Sequence, residues 1–484
     1  MSALPLILLV YATQAVAGGL LLAAIDRGTA RRFSERLSRA LLLGPAALAV
    51  QMLLLDAAGV RFSLPAVLAP WWFAIAVMTA AAARRRGSRP PSGAAPGLQA
   101  PSAATVTRET GASGSSRLRL AVLGLAGVLA LISFSQGLLL PVHTTDAMHN
   151  FAIVARVFET HGSLAPGALA ELQFAGHTDY PPLVPLNEAL LFLAAGDARA
   201  LAIKPFFALA HLALLLLVAE ACFRALPPRR AAALAAFAML TPFFGMQATE
   251  GYADLRLAAS TLLLALAGWQ LQRAPSARRA VLFAACAASC ALTKFEGLAI
   301  ALAAAPLPLL LAARSARSAR SAGSTGHGAT WRAALTATAL LLALSLAWPA
   351  HLATREAGGA PLAGAEWHDV SRAAERWPGA VRGLLALMVS PDGNGNPSWG
   401  LLWIVAGALG AWALLTVGRR RALAPWLALF AAHFALYATV LALSPSELDW
   451  HVNTAGPRLL LHLVPWALLA AIAAVALPAR EVPG

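Results

Sequence analysis

Apolar runs of roughly 20 residues recur from residue 3 to residue 478, separated by short polar or arginine-rich stretches. A run of that length crosses a bilayer's hydrocarbon core when wound as an α-helix, and a helix satisfies its own backbone hydrogen bonds in lipid. The roughly 10-residue alternation of a membrane barrel is missing. The pattern predicts an all-α polytopic membrane protein with about thirteen transmembrane helices. Their expected ranges are 3–25, 40–60, 64–83, 118–140, 201–222, 231–248, 255–272, 280–293, 297–313, 333–351, 399–418, 424–443 and 458–478. One further run, 183–195, is short and carries Glu188. It reads as an interfacial or re-entrant helix.

The chain has 484 residues, of which 59% are hydrophobic and only 12% charged, too few for the surface of a soluble protein of this size. Its formal charge of +15 invites a nucleic-acid reading, but the arginines cluster between the apolar runs, as at Arg84/Arg85/Arg86 and Arg419/Arg420/Arg421. That is the pattern by which short cytoplasmic loops set orientation, so nucleic acid is excluded as a partner. With 183–195 placed at the outer surface, the inner segments hold 26 Lys/Arg and 5 Asp/Glu, and the outer segments 11 and 17. This predicts a periplasmic N-terminus, a cytoplasmic C-terminus and chemistry at the outer face, where both lysines fall. The first run has its flanking charge after it, as a span does, rather than before it, as a cleaved signal peptide does.

Two Pro/Gly/Ser/Ala-rich stretches, within 85–117 and 314–330, read as cytoplasmic linkers. The predicted organisation is a three-helix membrane unit over 1–84, a linker over 85–117, a membrane module over 118–478 with an outer loop at 352–398, and a tail at 479–484. Asp56 and Arg61, in the first unit, read as a solvated outer turn. Cys222, Cys286 and Cys290 fall in or beside spans and suit small apolar packing positions.

Four outer segments hold most of the polar chemistry. In "PVHTTDAMHNFAIVARVFETHG", Thr144 or Thr145 is placed to cap a helix starting near Asp146. Met148, Phe151, Val154/Ala155 and Phe158 form an apolar stripe for a helix lying on the membrane. Asp146, His149 and Asn150 share a face at i, i+3 and i+4, either as a reactive group or as a plain cap beside a solvated imidazole. Further along the same loop, "HTDYPPLVPLNEALLF" sets Tyr180 before a proline pair, where it also suits an interfacial anchor. In "MQATEGYADLRLAAS", Glu250 and Asp254 are i,i+4 around Gly251. Such acids are costly beside lipid and point to an aqueous cavity or to ordinary helix ends.

In "ALTKFEGLAI", Lys294 and Glu296 share a tight turn, neutralising each other or offering a lysine to phosphate. In "SPSELDWHVNTAGPRLLLHLVP", Arg458 breaks the inner-face trend and calls for an acid or an anionic head group, with His451 before it and His462 one turn further in. The outer loop 352–398 carries a mixed-charge helix expected to pack over the outer mouth. His368 and Asp369 there are adjacent and point apart on a helix, a poor metal pair.

Taken in order, "TTDAMHNF", "DYPPLVPL", "TEGYADL", "LTKFEG" and "WHVNTAGPRLLLHLVP" make residues 118–478 resemble the GT-C superfamily of polytopic glycosyltransferases. The bacterial protein O-mannosyltransferase-like and aminoarabinose-transferase-like enzymes are the nearest in kind. The resemblance implies a GT-C-like fold with interfacial helices in the first large periplasmic loop of a multi-pass bacterial inner-membrane protein. It implies an enzyme, an inverting glycosyltransferase. The donor would be a polyprenyl-phosphate-linked sugar and the acceptor a hydroxyl of a glycan, lipid or protein at the periplasmic face, with membrane lipids as the surroundings. Asp146 then stands at the family's general base, with His149 as its partner. Lys294, Arg458 and Lys204 would hold the donor phosphate, and Glu250, Asp254, Tyr180, Glu296 and His451 would orient the sugar or acceptor.

There are departures. The family often pairs two adjacent acids where Ala147 follows Asp146 here, so no metal is assigned, no cofactor is required, and a divalent ion is left without support. Some relatives carry a lysine where this chain has Tyr180. The other reading is a transporter or flippase of a polyprenyl lipid or glycolipid. That would need charges lining a path at mid-membrane, often with inverted repeats, whereas the acids here gather at one face.

Overall fold

The computed structural model describes residues 3–25, 32–87, 109–140, 142, 144–170, 178–196, 199–321, 328–354, 370–390 and 399–476, and within these it is helical throughout with no strand. Helices α1 (Leu4–Ile25), α2 (Phe33–Ala57) and α3 (Leu64–Gly87) precede the long α4 (Glu109–Leu139). The first large loop contains a π-helical segment, Asp146–Ala152, running into α5 (Ile153–His161), then α6 (Pro166–Ala170), α7 (Leu183–Ala195) and α8 (Arg199–Ala202). The middle of the chain forms α9 (Lys204–Ala225), α10 (Pro228–Met239), α11 (Pro242–Glu250), α12 (Asp254–Arg273), α13 (Ala277–Ala291), α14 (Phe295–Ala304), α15 (Leu307–Ser321) and α16 (Gly328–Thr354). The remainder forms α17 (Val370–Val389), α18 (Leu402–Leu415), α19 (Val417–Leu443) and α20 (Leu448–Ala476).

Among the described residues nine helical segments are long and apolar enough to cross a membrane, one of them α14 continued into α15, and α10 with α11, bent by 48° at a short break, makes up to ten. The other three expected spans coincide with α12, α13 and α18. Of these, α13 and α18 have only 15 and 14 residues, and α12 carries Asp254, Arg256 and Arg273. The sequence of apolar runs therefore fixes a polytopic all-helical membrane protein, while the number of crossings depends on those short or charged helices.

The centre of the bundle is α9, α12 and α20, whose apolar side chains are buried on nearly every face. Helices hydrophobic all round belong inside a larger assembly. The short α7 is equally enclosed, with every residue but Leu193 buried. The apolar stripe of the first loop also lies inside protein rather than on a membrane surface. Phe151, Val154, Ala155 and Phe158 are buried in a cluster with α7, while Met148 is 38% exposed.

The N-terminal helices pack directly against the later ones. Gln14 Nε2 donates to Asn187 Oδ1 at 3.0 Å, and Asn187 Nδ2 donates to the Pro45 carbonyl at 3.0 Å. The Arg256 guanidinium donates to the Leu42 carbonyl at 2.7 Å. Asp56 is not merely solvated: its carboxylate accepts from the Leu164 N–H at 2.8 Å. Between α2 and α9 a buried ionic cluster joins Arg39 to Glu35 at 3.1 Å and to Glu220 at 2.7 Å, with Arg224 against both acids.

Two boundaries differ from the sequence reading. The expected second linker is largely helical, because α15 runs to Ser321 and α16 starts at Gly328, and the first is shortened by α3 and α4. His368 and Asp369 lie outside the described residues. The mixed-charge helix α17 packs on α19 and α20, and Arg376 donates to the carbonyls of Ser444 and Ser446 in the turn between them.

Candidate functional site

Two helix junctions, the first-loop segment and the body of α20 meet at one place. Gly251 ends α11 in the left-handed conformation, φ +84°, and turns the chain so that Glu250 and Asp254 flank a tight corner. The corner is also tight, since a Cβ on Gly251 would come 3.1 Å from that of Ala147 in the first loop. Thr144 Oγ1 donates to the Glu250 carbonyl at 2.9 Å. That bond fastens the loop to the corner and takes the hydroxyl that was expected to cap the Asp146 helix. Thr145 makes no cap bond either.

The α13–α14 junction supplies Lys294 and Glu296. Gly297 allows α14 to approach α13 closely, because a Cβ there would fall 2.0 Å from the Cys290 carbonyl oxygen. The junction is also fixed from α7, where the Leu183 N–H donates to the Leu292 carbonyl at 2.9 Å. Helix α20 supplies Arg458 and His462 one turn apart.

The charges interlock. Asp146 pairs with Arg458, and its Oδ1 accepts from Asn150 Nδ2 at 3.1 Å. Winding as a π-helix brings Asn150, rather than His149, onto the carboxylate. Lys294 Nζ lies 2.9 Å from Asp254 Oδ1 and 3.4 Å from Glu296. Asp254 Oδ2 is 3.9 Å from Arg458, and Oδ1 is 3.2 Å from His462 Nε2. Burial alone would lower the pKa of Lys294, but the carboxylates of Asp254 and Glu296 outweigh it and hold the ammonium above its ordinary value.

The side chains of Asp146 and Arg458 are 18% and 20% exposed, and those of Asp254 and Lys294 only 2% and 5%. The first pair therefore forms the accessible mouth and the second lies behind it. Aromatic rings line the cations: Lys294 is 5.8 Å from the Tyr180 ring and Arg458 is 4.6 Å from that of Tyr252. Tyr180 also meets Phe295 edge-on at 6.0 Å.

The site thus gathers Asp146, Glu250, Asp254, Lys294, Glu296, Arg458 and Tyr180 of the expected residues. Lys204 is buried beside it, its ammonium 3.4 Å from the Thr249 carbonyl. His149 is half-buried on the same segment as Asp146. His451 lies two turns from Arg458 on α20, its ring 6.1 Å from that of Trp450 and its Nδ1 without a hydrogen-bond partner among the described residues. Two participants carried no assignment from sequence, Tyr252 and Tyr437. The signal was there, since they are two of only four tyrosines, and Tyr437 sits within an apolar run.

Below the charges, α12, α14, α15, α19 and α20 line a largely apolar, partly open cavity of about 780 Å³, whose walls include Trp269, Arg273, Phe283, Ile300, Leu436 and Trp466. Among the described residues no three His, Cys, Asp or Glu side chains are grouped to hold a metal ion. In comparisons with known proteins, no family model, no curated protein and no solved structure matches the chain.

Proposed function

We propose that this protein is an inverting glycosyltransferase of GT-C type. It moves a sugar from a polyprenyl-phosphate-linked donor to an acceptor hydroxyl at the periplasmic face of a bacterial inner membrane. The observation that carries the reading is the accessible Asp146 carboxylate beside Arg458, with Lys294 directly behind. A base and two cations within one cluster is what displacement at a phosphate-bearing anomeric carbon requires. The apolar cavity below the cations is the kind of space a long isoprenoid chain fills, and the order of the outer motifs agrees.

In this mechanism Asp146 takes the acceptor's hydroxyl proton as the acceptor oxygen bonds to the anomeric carbon. The carbon–oxygen bond to phosphate breaks on the opposite face and leaves its electron pair on the phosphate. Arg458 and Lys294 stabilise that growing charge, so no strong acid is needed for departure. Because Asp146 is paired with Arg458 before substrate arrives, the donor phosphate competes for the guanidinium and frees the carboxylate to act as base.

The test uses purified protein in liposomes with a labelled polyprenyl-phosphate sugar and candidate acceptors. Transfer with inverted anomeric configuration, lost in Asp146→Asn, supports the reading. Wild-type protein that moves the lipid across the bilayer without transferring sugar sinks it in favour of a flippase.

A further inference from the structure

Behind the two cations runs a chain of buried polar side chains. His462 Nε2 lies 3.2 Å from Asp254 Oδ1, a polar contact not aligned as a hydrogen bond, and His462 Nδ1 is 2.7 Å from the Tyr437 hydroxyl. None of the three residues is more than 1% exposed. The chain continues inward: the ring of His433 lies 4.4 Å from that of Tyr437, and its Nδ1 accepts from Trp466 Nε1 at 3.1 Å. His433 and Trp466 are themselves wall residues of the apolar cavity.

The donor and acceptor inventory orders this chain. An ionised carboxylate only accepts, whereas a phenol has one O–H to give. A neutral imidazole between them therefore carries its proton on Nε2, facing Asp254, and accepts the Tyr437 O–H at Nδ1. The opposite tautomer would turn a lone pair towards the carboxylate. Asp254 in turn receives Lys294 on Oδ1 and faces Arg458 with Oδ2. The orientation of this one carboxylate is therefore coupled to both cations at the mouth.

Resting on the lipid-phosphate reading of the site, we propose that His462 and Tyr437 are positioning residues for a lipid-linked phosphate. The phenol holds the imidazole in its Nε2–H form, the imidazole holds Asp254, and Asp254 sets where Lys294 and Arg458 present their N–H groups to the phosphate. Without the ring, the carboxylate turns fully onto the cations and draws them inward.

Two measurements on the full-length protein test this. Histidine ¹⁵N spectra, with the 462 resonance assigned by its loss in His462→Gln, report the tautomer. Binding of polyprenyl phosphate in detergent reports the aim of the cations. We expect an Nε2–H ring in the wild type and a mixed tautomer in Tyr437→Phe. His462→Leu should bind roughly tenfold more weakly, as for one lost polar contact to a charged group, and His462→Gln should recover most of that through its amide N–H.

A wild-type ring protonated on Nδ1, or equal losses for Gln and Leu at 462, overturns the proposal. Wild-type protein that binds no polyprenyl phosphate overturns the lipid-phosphate reading and this proposal with it. Wild-type protein that binds, beside a Leu variant that binds as tightly, overturns this proposal alone.

Discussion

The Asp146 carboxylate and the Arg458 guanidinium form an ion pair across 312 positions of the chain, joining the first large loop to the last helix. A carboxylate so engaged is not free to meet an acceptor hydroxyl until something else takes the guanidinium. Removing its charge therefore has opposite effects on two observables. On the mechanism proposed above, Asp146→Asn lowers transfer by about a hundredfold or more, the range for loss of a general base. It leaves donor affinity unchanged or tighter, because the phosphate no longer competes for Arg458. Donor binding and single-turnover transfer, measured side by side, check this. Weaker binding in Asp146→Asn would contradict the competition.

Asp254 and Lys294 are a buried pair, and their stability effects are coupled. Asp254→Asn leaves an ammonium enclosed with less compensation, at a cost of about 3–5 kcal/mol. Lys294→Met leaves the mirror problem. The double variant Asp254→Leu with Lys294→Met removes both charges and regains much of the lost stability without regaining transfer. Apparent melting temperatures in one detergent, set beside transfer rates, distinguish the two roles. A double variant no more stable than either single change means that the pair is not what the bundle depends on.

Much of this site was legible because its residues are polar groups out of place in an apolar sequence. Asp146, Glu250, Asp254, Lys294 and Arg458 stood out at the ends of apolar runs, and hydrophobic burial of the runs between them leaves few ways to arrange those ends. What was not legible depends on backbone detail and on who packs against whom. The shared face of Asp146, His149 and Asn150 was legible, but nothing in "DAMHNFA" announces the π-helical winding or that Asn150, not His149, takes the carboxylate. The stripe of Phe151, Val154 and Phe158 has the same period whether lipid or α7 covers it. The role of Thr144 was missed because its partner, the Glu250 carbonyl, is a backbone atom 106 positions away.

Glu188 gives a pH prediction of definite sign. It is fully buried in α7, and both carboxylate oxygens lack a hydrogen-bond partner among the described residues. Burial pushes its carboxyl well above the ordinary range. The folded protein keeps the proton that the unfolded chain releases as pH rises past the ordinary carboxylate value, so this residue's contribution to stability falls with increasing pH. The slope is about 1.4 kcal/mol per pH unit where only the folded state is protonated. Glu188→Gln removes that titration. It should raise the apparent melting temperature at pH 8 relative to wild type and flatten the difference between pH 5 and pH 8. A wild-type protein no less stable at pH 8 than at pH 5, with no change in Glu188→Gln, would show the carboxyl to be solvated.

The last prediction concerns α1 and α2, which lie outside the region carrying the family resemblance. Gly44 lets these helices touch: a Cβ there would fall 1.7 Å from the Gln14 carbonyl oxygen, a backbone atom that cannot rotate away. Gly44→Ala must push α1 off α2, at a cost of about 1–3 kcal/mol or more. It also disturbs Gln14, whose amide bonds Asn187 on α7. Helix α7 begins with the Leu183 N–H bonded to the Leu292 carbonyl, two residues before Lys294. The N-terminal pair thus reaches the candidate site through two hydrogen bonds, one on each side of α7. Gly44→Ala should lower both the apparent melting temperature and the affinity for a lipid phosphate, as should Asn187→Leu. Gly19→Ala, on α1 with open space around its Cα, should change neither. Full affinity in Gly44→Ala and Asn187→Leu would make the N-terminal pair a separate unit with no hold on the site.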